Sequence, residues 1–180
     1  METQPKKDTQ PKRDEDSFMV ASFLERPTVG AEFQNLPAHL TYVSWFHLDP
    51  QRYADLTLRV HDIVSENQAP VITGGAQKIF GDEARGLTRV RQLSVLDKDF
   101  NLLNHFQPHA ALLAFAQSAD PDFDNTYFGL NWNPHVSDTP ERALAQDERV
   151  ALDNLTVIKK EAKLGRKIIE QVHAWGMDSE

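Results

Sequence analysis

Read by hydropathy, the chain opens with a polar stretch, 1–16, and turns apolar at Ser17-Phe-Met-Val-Ala-Ser-Phe-Leu24, a run that predicts a first strand closed by Pro27 and Gly30. A loop through Asn35 leads into Pro37-Ala-His-Leu-Thr-Tyr-Val-Ser-Trp-Phe46, where Tyr42, Val43, Trp45 and Phe46 favour a second strand. Asp49 and Pro50 supply an N-cap and a proline at the first helical position, and Tyr53, Leu56, Val60, Ile63 and Val64 form the apolar stripe of a helix to about Glu66. Val71 to Phe80 and Leu87 to Leu93 predict two further strands, with a turn over 81–86. From Asp97, the residues Phe100, Leu103, Phe106, Ala110 and Leu113 line one side of a helical region that Pro108 is expected to kink or restart. Tyr127 to Leu130 then starts a strand reaching His135, 138–147 is a polar loop, Val150 to Ile158 is the last strand, and 161–175 is expected as a terminal helix. The order ββαββ followed by αββα is an α+β pattern of short strands.

Composition narrows the picture. A chain of 180 residues suits one domain, here 17–180, and buries a core without staples. With no cysteine, disulfides, thiolate catalysis and thiolate zinc sites are excluded. The longest apolar run, Ala110 to Ala116, falls far short of the ~20 residues that span a bilayer, so no membrane is expected. The 1–16 stretch mixes four basic with five acidic residues and has no apolar segment; a disordered tail and a cytoplasmic, monomeric protein are expected. A net charge of −8 argues against gripping a long nucleic acid, although Arg85, Arg89 and Arg91, and Lys159, Lys160, Lys163, Arg166 and Lys167, are local basic clusters.

The candidate chemistry lies in two short matches, His39-Leu-Thr41 and His135-Val-Ser137. Each closely follows a proline, and each places a histidine two residues before a hydroxyl, so that in a strand both side chains share a face ~6.6 Å apart along the backbone. His135 lies 96 residues after His39, which places one copy in each half of the chain. If both strands face one cleft, two imidazoles and two hydroxyls converge there. One such histidine alone reads as an ordinary strand-end residue; it is the matched pair that points to function.

With these motifs the chain resembles the 2H phosphoesterase superfamily, which includes 2'-5' RNA ligase-like proteins and 2',3'-cyclic nucleotide phosphodiesterases. The resemblance implies a bilobal α+β fold, two antiparallel sheets around a central groove with helices outside, and both motifs lining the groove. It also implies chemistry on a phosphodiester with no metal or other cofactor. By that resemblance His39 and His135 are the catalytic pair and Thr41 and Ser137 bind phosphate. Many bacterial members continue the second motif with Leu-Ala-Arg, whereas this chain has Asp138-Thr-Pro140, so no arginine contact is carried over.

Imidazole serves as base or acid near neutral pH, and hydroxyls donate to phosphoryl oxygens, which is what opening a cyclic phosphate needs. The sequence leaves the acid and base roles open. Trp45 shares the parity of His39 and Thr41 and is a candidate for stacking on a base, with core packing equally open. Trp132, of opposite parity to His135, is expected in the core. The expected activity is hydrolysis of a 2',3'-cyclic phosphate or related small phosphodiester on a small nucleotide or RNA end. Its alternatives are a nucleotide-binding module without turnover, a phosphodiesterase of cyclic di- or oligonucleotide signals, and RNA-end processing or ligation. Other patterns read as bland. His105 and His109 are expected on the surface, Asp120, Asp122 and Asp124 as acidic turn residues, Gly74-Gly75 as a turn or bulge, and Asn154-Leu-Thr156 as an incidental glycosylation match.

Overall fold

The structure, a computed structural model, describes residues 15–82, 86–94 and 102–175. It contains strands β1 (Ser17–Phe23), β2 (Glu32–Phe33), β3 (His39–His47), β4 (Val71–Asp82), β5 (Gly86–Leu93), β6 (His135–Ser137), β7 (Arg149–Ala151), β8 (Asn154–Lys160) and β9 (Lys167–Ala174), with helices α1 (Tyr53–Glu66) and α2 (Leu102–Ala119). The strand order is β2-β9-β8-β1-β3-β6-β5-β4-β7, and every pairing among the described residues is antiparallel. The mixed α/β class therefore holds. In place of two separate sheets, the strands form one hydrogen-bonded order that curls into a half-barrel.

β1 explains how the layers are arranged. Phe18 and Val20 face the main core, where Leu56, Val60, Ile63 and Val64 of α1 and Leu112, Phe115 and Ala116 of α2 meet the sheet. Met19, Ala21 and Phe23 point the other way, into a smaller cluster with Ile158 and Ile169. A strand apolar on both faces sits in the middle of a sheet covered on both sides. At the start of α1 the predicted cap is present, since Asp49 Oδ1 accepts from Gln51 N at 2.9 Å and Pro50 opens a 3-10 turn.

Three expectations change. Residues 161–175 are not a helix. Gly165, at φ +63°, turns the chain back, with Gly165 N donating to Glu161 O at 2.8 Å and Glu161 N to Arg166 O at 2.9 Å, and β9 then pairs with β8 along its length. The helical spacing of apolar residues is genuine, but the β-branched Ile168, Ile169 and Val172 satisfy a sheet edge better than solvent would satisfy a lone helix. The strand expected from Tyr127 is instead turn and 3-10 structure at Gly129–Asn131, leaving β6 three residues long. The single last strand is split into β7 and β8 by Leu152 and Asp153. Pro108 lies inside α2 without ending it. Asp97 and Phe100 lie outside the described residues, as does the expected tail as far as Asp14. Asp16 is anchored, its Oδ1 accepting from Ala162 N at 3.0 Å. Among the described residues no helix is long and apolar enough to cross a membrane.

Candidate active site

The two motif strands are immediate neighbours in the middle of the strand order. Leu40 pairs with Val136, and both are fully buried on the core side. Carried one residue either way, that antiparallel register sets His39 opposite Ser137 and Thr41 opposite His135. Alternation then puts all four side chains on the other face, away from the helices. His39 and His135 are diagonal neighbours, which places their Cβ atoms about 7–8 Å apart or slightly less, room for a phosphoryl group between the rings.

The same local geometry holds both rings. His39 Nδ1 lies 2.7 Å from Pro37 O, and His135 Nδ1 lies 2.8 Å from Asn133 O. A carbonyl only accepts, so each Nδ1 carries the proton and each Nε2 is left for chemistry. A phenylalanine braces each ring: Phe23 against His39 at 5.5 Å between centroids, and Phe80 edge-on to His135 at 4.7 Å. Burial pushes both imidazoles below their ordinary value, against the opposing pull of the carbonyl hydrogen bonds. His39 is lowered further by the charges of His135 and Lys167.

A groove of about 960 Å³ runs over this face, with His39, Thr41, Ser137 and Trp45 in its wall. His135 is not among the residues that line it. Of the two placements left open for Trp45, the structure shows something of both: it reaches the groove wall, though not by simple alternation. Two register shifts against β1, around Tyr42 and again between Val43 and Phe46, first turn Val43 into the core and then return Trp45 to the groove face. Its ring is half-buried against the smaller cluster, with Lys160 Nζ 5.8 Å from its centroid.

Of the residues that sequence reasoning passed over, His109 is the largest correction. It is fully buried rather than on the surface. Its Nδ1 donates to Tyr42 O at 2.7 Å, its Nε2 accepts from Gly129 N at 3.0 Å, and its ring stacks on Trp132 at 4.1 Å. Trp132, packed on the core as expected, donates from Nε1 to Thr41 O at 3.3 Å. α2 thus ties the backbone of the first motif to the loop that delivers the second. The available signal was the apolar neighbourhood of His109, Ala110 to Phe115. The His105 side chain lies outside the described residues.

Lys167 also lines the groove, and its ammonium hydrogen-bonds Gln34 O. It was missed as a site residue because a helix was expected there. Arg142, five residues past Ser137, lines the groove while paired with Glu148. Arg91 is spent on Leu144 O and Gly75 O, at 3.0 and 3.1 Å, and Arg85 lies outside the described residues. The bland readings hold for the rest. Asp120 and Asp124 cap their own turns, and β4 shifts register after Gly74. Asn154 is fully buried, clamping β1 through Phe23 N and O at 3.0 and 2.9 Å. No cluster of three or more metal-ligating side chains occurs among the described residues.

No family model matches the chain, and no curated protein matches it in sequence. Among solved structures it is similar to the crystal structure of TT0787 of Thermus thermophilus, with a TM-score of 0.52 and 15% identity over 88% of this chain and 97% of that one. At that identity the likeness is one of fold alone.

Proposed function

We propose that this protein is a phosphodiesterase that opens a 2',3'-cyclic phosphate, or a related small nucleotide phosphodiester, by two-histidine acid–base catalysis. The observation that carries the reading is the pairing of the two motifs across Leu40 and Val136, with both Nδ1 atoms given to carbonyls so that two free Nε2 atoms and two hydroxyls share one face. In this reading His39 is the base. Burial opposes the charged form of both rings, and His135 and Lys167 oppose that of His39 in addition, which favours His39 for the neutral role. His39 Nε2 takes a proton from water, and the resulting hydroxide attacks phosphorus. The bond to one ribose oxygen breaks, and His135 Nε2–H gives that oxygen its proton. Thr41 and Ser137 donate hydrogen bonds to the nonbridging oxygens as charge shifts onto them. We read the strands on either side of the β3–β6 pair, five counting β3 and four counting β6, as the two lobes of a bilobal fold.

The test is a screen of 2',3'-cyclic nucleotides, cyclic dinucleotides and RNA ends with a chelator present. Turnover of the cyclic mononucleotides in EDTA is the expected result. Loss of all turnover on chelation, restored by a divalent metal, rejects the mechanism. Binding without turnover leaves a nucleotide-binding module.

A further inference from the structure

The five basic residues of the β8–β9 hairpin are not used alike. Lys159 pairs with Glu170 at 2.7 Å, and Arg166 pairs with Glu32 and Glu161 at 2.7 and 2.8 Å. Lys163 is exposed in the turn. Lys160 and Lys167 differ from these: they are direct cross-strand partners, and among the described residues neither has an ion pair with a carboxylate, although the Lys167 ammonium gives one hydrogen bond to Gln34 O. Like charges placed opposite one another destabilise a sheet. The repulsion is felt here, since Lys160, after burial, holds the Lys167 ammonium below its ordinary value.

Of the two, Lys167 lines the groove itself and Lys160 is tied to it through Trp45. Lys167 lines the groove with His39, and its other cross-strand neighbour, Phe33, lines it too. Lys160 lies over the Trp45 ring, itself in the groove wall. A protein of net charge −8 has acids enough to neutralise both lysines, and its own Glu170, Glu32 and Glu161 neutralise the residues next to them. Glu25, Asp138 and Glu141 also line the groove, yet none forms an ion pair with either lysine among the described residues. An unneutralised cation pair beside an aromatic ring is relieved by a bound anion carrying a flat group.

We infer that Lys160 and Lys167, with Trp45 beside them, form a second anion subsite that receives a phosphate other than the one between the histidines, so that the preferred substrate is a nucleotide with an additional phosphate. The inference rests on the proposed function for the first phosphate, but its test does not require turnover. Binding of adenosine 2'-phosphate, a product of ring opening, and of adenosine 2',5'-bisphosphate is measured by calorimetry at one fixed salt concentration. The bisphosphate is expected to bind about tenfold to a hundredfold more tightly, the range of one or two charge-assisted hydrogen bonds. Lys160→Gln and Lys167→Gln each cut that ratio, the double variant brings it near one, and Lys160→Arg with Lys167→Arg restores most of it. Equal binding of the two nucleotides, or a ratio that survives the double glutamine variant, overturns the inference, and so does binding of neither. Turnover of adenosine 2',3'-cyclic phosphate with no gain from a 5'-phosphate leaves the proposed function standing and removes only this subsite.

Discussion

An imidazole that gives Nδ1–H to a carbonyl has one nitrogen left to act, and His39 and His135 are both in that state. His39→Ala and His135→Ala should each lower kcat/KM by ~10²-fold or more, equivalent to ~2.7 kcal/mol of transition-state stabilisation, with Thr41→Ala and Ser137→Ala losing less. A leaving group separates the two roles. On a nitrophenyl phosphodiester, whose departing oxygen needs no proton, His135→Ala should recover most of its loss while His39→Ala should not; the reverse pattern exchanges base and acid. The pH profile follows from the shifts. Both imidazoles sit below their ordinary value in the free protein, so the bell in kcat/KM should centre below about 6.5. A bound anionic phosphate favours the charged forms, so the bell in kcat should lie at higher pH, which steady-state kinetics from pH 4.5 to 8.5 resolve. Sequence sufficed to nominate these four residues. The bond from each Nδ1 to a carbonyl depends on local backbone geometry and could not be read from it.

At the scale of elements, β6 is only three residues long, and its registration with β3 depends on what holds the loop ahead of it. His109 does so by bonding Tyr42 O and Gly129 N at once, which requires the neutral ring. Burial keeps its proton affinity below that of the unfolded chain. The unfolded state therefore takes up more protons as pH falls below about 6.5, and stability declines there. His39, His135 and His173, all lowered chiefly by burial, act in the same direction. Urea denaturation should show falling stability from pH 7.5 to 5, and His109→Gln should be ~1–3 kcal/mol less stable at pH 7.5 with a shallower decline. β4 offers a second test. A Cβ on Gly74 would lie 1.9 Å from Ala145 O, in the segment through which Gly74 bonds Asp147 and Glu148. Gly74→Ala should therefore cost ~1–3 kcal/mol by displacing that backbone, seen as a lower urea midpoint with the slope unchanged.

For the molecule as a whole, charge sets how much substrate is held. At −8, with most of the basic residues near the groove paired or spent on carbonyls, only the phosphates near His39, His135, Lys160 and Lys167 should be neutralised. A mononucleotide should then be turned over about as well as a long RNA with the same end. The slope of log K against log salt is ~0.7 per phosphate contact for single strands, so it should correspond to one to three contacts. Measuring kcat/KM for both substrates at two salt concentrations checks this. A preference for long RNA that collapses at higher salt would reveal an extended basic track.

Local chemistry determined what was legible in the sequence. Runs of apolar and β-prone residues bounded by turn residues marked β1, β3, β4 and β5, Asp49-Pro50 set the start of α1, and two repeated triplets marked the candidate site, because each of these depends on residues within a few positions of one another. Tertiary pairing decided the rest. The 161–175 segment carries a helical spacing and became β9 because the β8 edge was there to receive it. Trp45 reached the groove through two register shifts that only the β1 partner imposes, and His109 went inside because Tyr42 and Gly129, distant in sequence, supply its hydrogen bonds. The meeting of the two motifs belongs to this second class. Side-chain periodicity fixes which face a residue takes along its own strand, but which strands are neighbours, and in what register, depends on packing Leu40 and Val136 into a core drawn from the whole chain.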